Sequence, residues 1–268
     1  MAKTEEKTLQ LKHCTLDYAA FGSGTKPLIM IPGLSLNRVK GAGKALAFSY
    51  KLFAKDYRVY MFDCRNETDE TCSIRQMADD LYEAMCLCGI RNADVLGVSM
   101  GGMIAQTLAA DHPETVDHLV IALSAPYCSE KTENKINGWL AQAEGNEFRK
   151  MVRGFMESIY SEAYMKKYKL MMPLLVKMAE KADLKRFACH CKAILQFDLR
   201  ERLSKIKADA YVIGAKQDQI VDWQDSLYMA EKLNTEAYIY PDLGHGAYDE
   251  AKDFNKRVLA ALKGEQYA

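Results

Sequence analysis

The sequence predicts an α/β protein with a mostly parallel central sheet, helices on both faces and one helical insertion. Three observations lead there. Short apolar runs at residues 27–31, 57–63, 93–98, 116–123 and 210–214 alternate with segments of helical periodicity. Runs of that kind suit strands covered on both faces, as in parallel sheets flanked by helices. The alternation breaks at residues 127–197, where only helical periodicity is found, and then resumes in the same rhythm. With 268 residues the chain is long enough for one large domain carrying such an insertion.

Each element has a local reason. Residues 8–21 alternate apolar and polar side chains and end at Gly22-Ser23-Gly24, which predicts two short antiparallel strands at a sheet edge. Residues 27–31 form a central strand that runs into Pro32-Gly33-Leu34-Ser35. Residues 40–55 read as a helix, and 57–63 as a buried strand ending in Cys64-Arg65-Asn66. From Thr71 a capped helix carries Ile74, Met77, Ala78, Leu81, Met85 and Cys88 on one face and stops at Gly89. Strand 93–98 turns sharply at Ser99 into an apolar helix, 100–110, which Asp111-His112-Pro113 ends before the strand at 116–123. The stretch 127–197 is rich in methionine and aromatic residues, among them Trp139, Met151, Phe155, Met156, Met171, Met172 and Met178, and is expected to lie over the sheet. After it come strand 210–214, a polar loop with Asp218, helix 223–233, strand 237–240, the loop Pro241-Asp242-Leu243-Gly244-His245-Gly246 and a C-terminal helix to Leu262. The expected division is a core of residues 1–126 and 198–268, with 127–197 inserted after the sixth strand.

Composition narrows the function classes. Basic and acidic residues balance at 36 each, so no positive surplus exists to neutralise phosphates, and nucleic-acid binding is not expected. The N-terminal residues lack the apolar core of a signal peptide, and no run of about 18 apolar residues occurs, so a soluble cytoplasmic protein without membrane insertion is expected. Nothing in the sequence fixes an oligomeric state. Of the eight cysteines, Cys86 and Cys88 are two apart, as are Cys189 and Cys191. Neighbours two apart on a helix point away from each other, so these read as reduced packing residues rather than metal ligands.

In an open parallel sheet functional groups gather at the carboxyl ends of the strands. Four loops that directly follow strands hold, in chain order, Gly33-Leu34, Ser99, Asp218 and His245. Ser99 stands in Gly97-Val98-Ser99-Met100-Gly101, a pattern that presents a hydroxyl from a strained strand-to-helix turn. That pattern alone arises by chance in about one chain of this length in ten, from ordinary glycine and serine usage. A serine nucleophile also needs a base, and the base an orienting acid. Of five histidines, His13, His112, His118 and His190 read as surface or packing residues, whereas His245 sits between two glycines after the last strand. Asp218 is favoured as the acid, because Asp222 reads as the cap of the next helix, Asp225 as a first-turn residue, and Asp242 as too near His245.

The order Ser99, Asp218, His245, the elbow Gly-Val-Ser-Met-Gly-Gly, and Pro-Gly-Leu after the third strand resemble the α/β-hydrolase superfamily. The passage Asp111-His112-Pro113-Glu114 is also similar to the family's stretch after its elbow helix. The chain departs from the family at Pro32-Gly33, where His-Gly is common, and at Asp63-Cys64-Arg65-Asn66, where Asp-x-Arg-Gly is common. The resemblance implies an α/β-hydrolase fold whose insertion is a helical cap, or lid, and a serine hydrolase acting on a small-molecule ester, thioester or lactone. Ser99 would be the nucleophile, His245 the base and Asp218 its orienting acid, with the backbone N–H groups of Leu34 and Met100 as oxyanion hole and no metal or organic cofactor. Alternatives within the same fold are carbon–carbon bond hydrolysis or a lyase reaction with the same triad, and a catalytically silent member that binds a small ligand.

Overall fold

The computed structural model describes residues 4–68, 72–145, 147–168 and 183–265. Among them the strands are β1 (Glu5–Gln10), β2 (Thr15–Phe21), β3 (Lys26–Ile31), β4 (Tyr57–Phe62), β5 (Ala93–Val98), β6 (Val116–Ala122), β7 (Asp209–Ala215) and β8 (Ala237–Tyr240). The helices are α1 (Gly43–Ser49), α2 (Ile74–Leu87), α3 (Met100–Asp111), α4 (Glu130–Glu144), α5 (Phe148–Ile159), α6 (Glu162–Tyr168), α7 (Leu184–Leu195), α8 (Trp223–Lys232), α9 (Ala247–Glu250) and α10 (Phe254–Ala261). The strands form one sheet in the order β1-β2-β4-β3-β5-β6-β7-β8. β2 pairs antiparallel with β1 and β4, and the remaining pairings are parallel.

The apolar runs make physical sense in this sheet. Successive side chains point to opposite faces, so Ile29, Ile31, Val95, Leu119, Ile121 and Val212 enter one core with α2 and α3. Leu28, Met30, Leu96, Val120 and Ile213 enter a second core with Phe53, Phe254 and Val258. Both faces are therefore covered, and each large aliphatic side chain so buried contributes about 1.5–3 kcal/mol.

In three elements the boundaries move by three residues or more. The edge hairpin begins at Glu5 rather than residue 8. The helix expected over 40–55 is confined to α1, because turns follow that place Phe53 in the core and offer Ala54 O to Ser23 N at 2.8 Å. Thr71 lies outside the described residues, and α2 is capped by Ser73, whose Oγ accepts from Gln76 N while Gln76 Oε1 accepts from Ser73 N. Its other end is as expected: Gly89 takes φ +72°, and Ile90 N bonds back to Met85 O at 2.9 Å.

Between β6 and β7 the described residues are mostly helical. Trp139 of α4, Phe155 of α5 and Phe187 of α7 form an edge-to-face chain with centroid separations of 4.8 and 5.7 Å. Both ends of the stretch are tied together by Cys128 N to Phe197 O at 2.9 Å and Leu199 N to Pro126 O at 2.7 Å. Met151 is fully buried, whereas Met171, Met172 and Met178 lie outside the described residues. No helix among the described residues is long and apolar enough to cross a membrane.

The tightest packing is where β5 passes into α3. A Cβ on Gly97 would lie 2.4 Å from Gly101 O, and one on Gly101 only 2.0 Å from Ile31 O. Substituting Gly101→Ala is expected to lower stability by about 2 kcal/mol or more, since two backbones would have to separate. By contrast Gly138→Ala, in the interior of α4 with open space at its Cβ, is expected to be neutral or to stabilise by up to about 1 kcal/mol. Urea denaturation midpoints of the two variants check this contrast.

Candidate active site

Ser99 is the residue between β5 and α3, and its backbone has φ +56° and ψ −123°, a strained conformation for a residue with a side chain. Surrounding bonds hold it there. Ser99 N donates to Ala122 O at 2.9 Å, while Ser99 O accepts from Gly102 N and from Ser124 Oγ, both at 2.8 Å. The loop after β3 presses on the serine from the other side, since a Cβ on Gly33 would be 3.0 Å from Ser99 Cβ.

His245 and Asp218 reach Ser99 from the loops after β8 and β7. His245 Nε2 lies 2.9 Å from Ser99 Oγ, and its Nδ1 lies 2.7 Å from Asp218 Oδ2. With a carboxylate as partner, Nδ1 carries the proton and Nε2 faces the hydroxyl as acceptor. The second Asp218 oxygen accepts from Ile220 N at 2.7 Å and Val221 N at 2.9 Å. Both side chains are buried, and Ser99 is partly exposed.

The rival residues lie elsewhere. Asp222 precedes α8 but caps nothing with its side chain; its Oδ1 accepts from Lys131 Nζ at 2.9 Å. Asp242 and His13 are exposed, and His112 stacks on Tyr82 at 3.7 Å. His118 bonds Asp94 at 2.9 Å at the amino end of the sheet, opposite Ser99. His190 is buried on α7, where its pKa is pushed down to about 3 by burial and by the charges of Arg186 and Arg38. It is neutral at physiological pH.

Met100 N, first in α3, and Leu34 N flank the serine, and neither has an acceptor among the described residues. Such free amides at a helix start and an adjacent loop can receive a developing oxyanion. Beyond Leu34 the loop is anchored on Asp63. One carboxylate oxygen accepts from Val39 N at 3.1 Å and faces Arg38 at 3.3 Å, and the other is bonded by buried Arg186 of α7. Arg65 instead forms a two-pronged pair with Asp80 at 2.7 and 2.9 Å.

Above these groups is a cavity of about 400 Å³, within the range of small-ligand sites. Leu34, Leu36 and Met103 from the core, and Ile136, Trp139, Val152, Phe155 and Ile194 from the inserted helices, give it apolar walls. Ser99 and His245 line it.

The family described as alpha/beta hydrolase fold matches this chain over residues 26–252. The chain belongs to that family. A Rhizobium rhizogenes protein whose name assigns it carbamate hydrolysis (RutD) is 27% identical over 89% of this chain and 93% of its own length. The 3-oxoadipate enol-lactonase 2 of Acinetobacter baylyi is 22% identical over 96% of each chain. Among solved structures, the enol-lactonase of Burkholderia xenovorans LB400 superposes with a TM-score of 0.83 at 20% identity, covering 96% of this chain and all of its own. This member of the α/β-hydrolase family is accordingly an enzyme of the hydrolase type.

The described cysteines are all free, and among the described residues no group of three or more His, Cys, Asp or Glu is placed to hold a metal ion. Burial raises Cys64, just after β4, to about 12, so it stays a thiol. Reasoning from sequence passed over Lys131 and Thr132 on α4, and Arg186 on α7. Nothing in their local sequence marks them, because their partners are distant in the chain.

Asp225 carries a testable cost. Buried in the first turn of α8 with one carboxylate oxygen unpartnered, it is raised to about 6 by burial and by the charge of Asp222. The unfolded carboxyl titrates near 3.9. Below about pH 4 both states are protonated and the cost is absent; it grows as pH rises and is complete above the folded pKa. Asp225→Asn is therefore expected to stabilise by on the order of 1–3 kcal/mol at about pH 7.5 and by almost nothing near pH 4. Thermal melts at the two pH values check it.

Proposed function

We propose that this enzyme is a serine hydrolase that cleaves a small or medium carboxylic ester, thioester or lactone through an acyl-enzyme on Ser99. The observation that carries the reading is the continuous contact from Ser99 Oγ to His245 Nε2, and from Nδ1 to Asp218, on the wall of an apolar cavity. His245 takes the hydroxyl proton as Oγ attacks the substrate carbonyl. Asp218 holds the imidazole tautomer and stabilises the imidazolium. The N–H groups of Leu34 and Met100 receive the oxyanion, and the imidazolium returns its proton to the departing oxygen or sulfur. Water, deprotonated by the same histidine, then releases the acid.

In this reading residues 127–197 are a cap on a core of residues 1–126 and 198–268. The bonds joining Cys128 to Phe197 and Pro126 to Leu199 support that division, as does the cap's contribution of cavity walls. Those walls favour an apolar acyl or ring-bearing group. The carbamate and enol-lactone in the names of the relatives share a carbonyl with a heteroatom leaving group, the bond class this mechanism addresses.

A fluorophosphonate probe with peptide mapping is expected to label Ser99. Labelling should vanish in Ser99→Ala and slow strongly in His245→Ala; a folded protein that resists the probe contradicts the reading and favours a silent ligand binder. On a turned-over substrate either substitution should lower kcat by about 10⁴- to 10⁶-fold. Asp218→Asn should be severely impaired and Asp222→Asn should not. A panel of esters, thioesters and lactones of graded acyl length, with a β-diketone for carbon–carbon cleavage, is expected to show activity on the first three classes and a preference for apolar acyl groups.

A further inference from the structure

The loop that presents Asp218 makes its polar contacts outward, to the first turn of α4. Lys131 Nζ donates to Asp218 O at 2.8 Å, to Val221 O at 3.3 Å and to Asp222 Oδ1 at 2.9 Å. Its neighbour Thr132 donates from Oγ1 to Ile220 O at 2.8 Å. Three carbonyls of one turn are thus held by two consecutive residues of another element. The amides of Ile220 and Val221, on the same turn, are the ones that bond the Asp218 carboxylate.

The lysine occupies an unfavourable place for a helix. Ser129 caps α4, so Lys131 is in the first turn, where the macrodipole disfavours a cation. Its surroundings account for it: the carboxylates of Asp218, Asp222 and Asp225 gather around this turn, and Lys131 acts on Asp225 against its burial. Arg200 and Tyr127 also interact with Asp225, and Asp249 and Glu250 stand on α9 just after His245.

We propose that Lys131 is a positioning residue for the reaction: it fixes the turn that aims Asp218 at His245, and its charge offsets Asp222 beside that pair. The inference rests on the reading of Ser99, His245 and Asp218 as the reacting constellation. Lys131 touches none of the reacting atoms. Without it, the Asp222 carboxylate loses its ammonium partner and the turn that bears Asp218 loses two of its three carbonyl bonds to α4.

The test compares Lys131→Met, which keeps the length and loses the donor and charge, with Lys131→Arg, which keeps both, and Thr132→Val. On the ester giving the best turnover, Lys131→Met is expected to lower kcat by about 10- to 100-fold with KM changed less than about threefold, the pattern of lost transition-state positioning. The acid limb of its kcat/KM profile should shift, and fluorophosphonate labelling of Ser99 should slow in parallel. Lys131→Arg should recover most of the activity and the original limb, and Thr132→Val should fall between. A Lys131→Met protein with kcat within about twofold of the parent and an unmoved acid limb would overturn the proposal, as would a lowered melting temperature with an unmoved limb. Failure of the underlying reading is separable, because it appears in the parent protein as absence of Ser99 labelling.

Discussion

The left-handed backbone at Ser99 is the constraint on which the rest of this molecule depends. A residue with a side chain holds φ +56° only if the surroundings over-determine it. Here β6 supplies the acceptor for its N–H, Ser124 and Gly102 take up its carbonyl, and Gly97 and Gly101 let strand and helix backbones cross within a distance no Cβ would permit. One consequence is that the Ser99 side chain lines the cavity while Met100 N, at the helix start, has no acceptor among the described residues. The strain and the presentation of the hydroxyl are one feature.

A second dependence runs between the inserted helices and the loops below them. α4 holds the Asp218 turn through Lys131 and Thr132. The end of α5 holds the histidine loop: Gly246 N donates to Ile159 O at 2.7 Å, and Tyr160 Oη donates to Asp249 at 2.8 Å. α7 reaches the loop after β3 through Arg186 and Asp63. The helices that wall the cavity are thus bonded to the loops that carry Asp218 and His245 and to the loop after β3. In a proposed cap this arrangement ties substrate enclosure to the geometry of the base and acid.

Most of the fold was legible because its causes are local. A short apolar run bounded by glycine, a 3.6-residue stripe such as Ile74 to Met85, and Gly89 after a helix each express backbone preferences over a few residues. Where the reading slipped, a longer-range demand had intervened. Residues 50–56 have helical composition, but burial of Phe53 and the bond from Ser23 to Ala54 end the helix at Ser49. Asp222 has the look of a cap, yet Lys131 draws its side chain away. The departure at Asp63-Cys64-Arg65-Asn66 could be seen in the sequence, but not its result, a carboxylate anchoring the loop after β3 and an arginine turned to Asp80.

By itself the sequence determined the alternation of strands and helices, the strained serine turn and the four loops at one end of the sheet. It could do so because each depends on hydrophobic period, on turn chemistry or on the absence of a Cβ at a close crossing. Only the tertiary structure decided that the Nε2 to Oγ distance is 2.9 Å, that the Asp218 carboxylate is met by two amides, and that α4 grips this turn from above. Those are contacts between residues such as Lys131 and Asp218, far apart in the chain, and no local preference of either residue encodes the other.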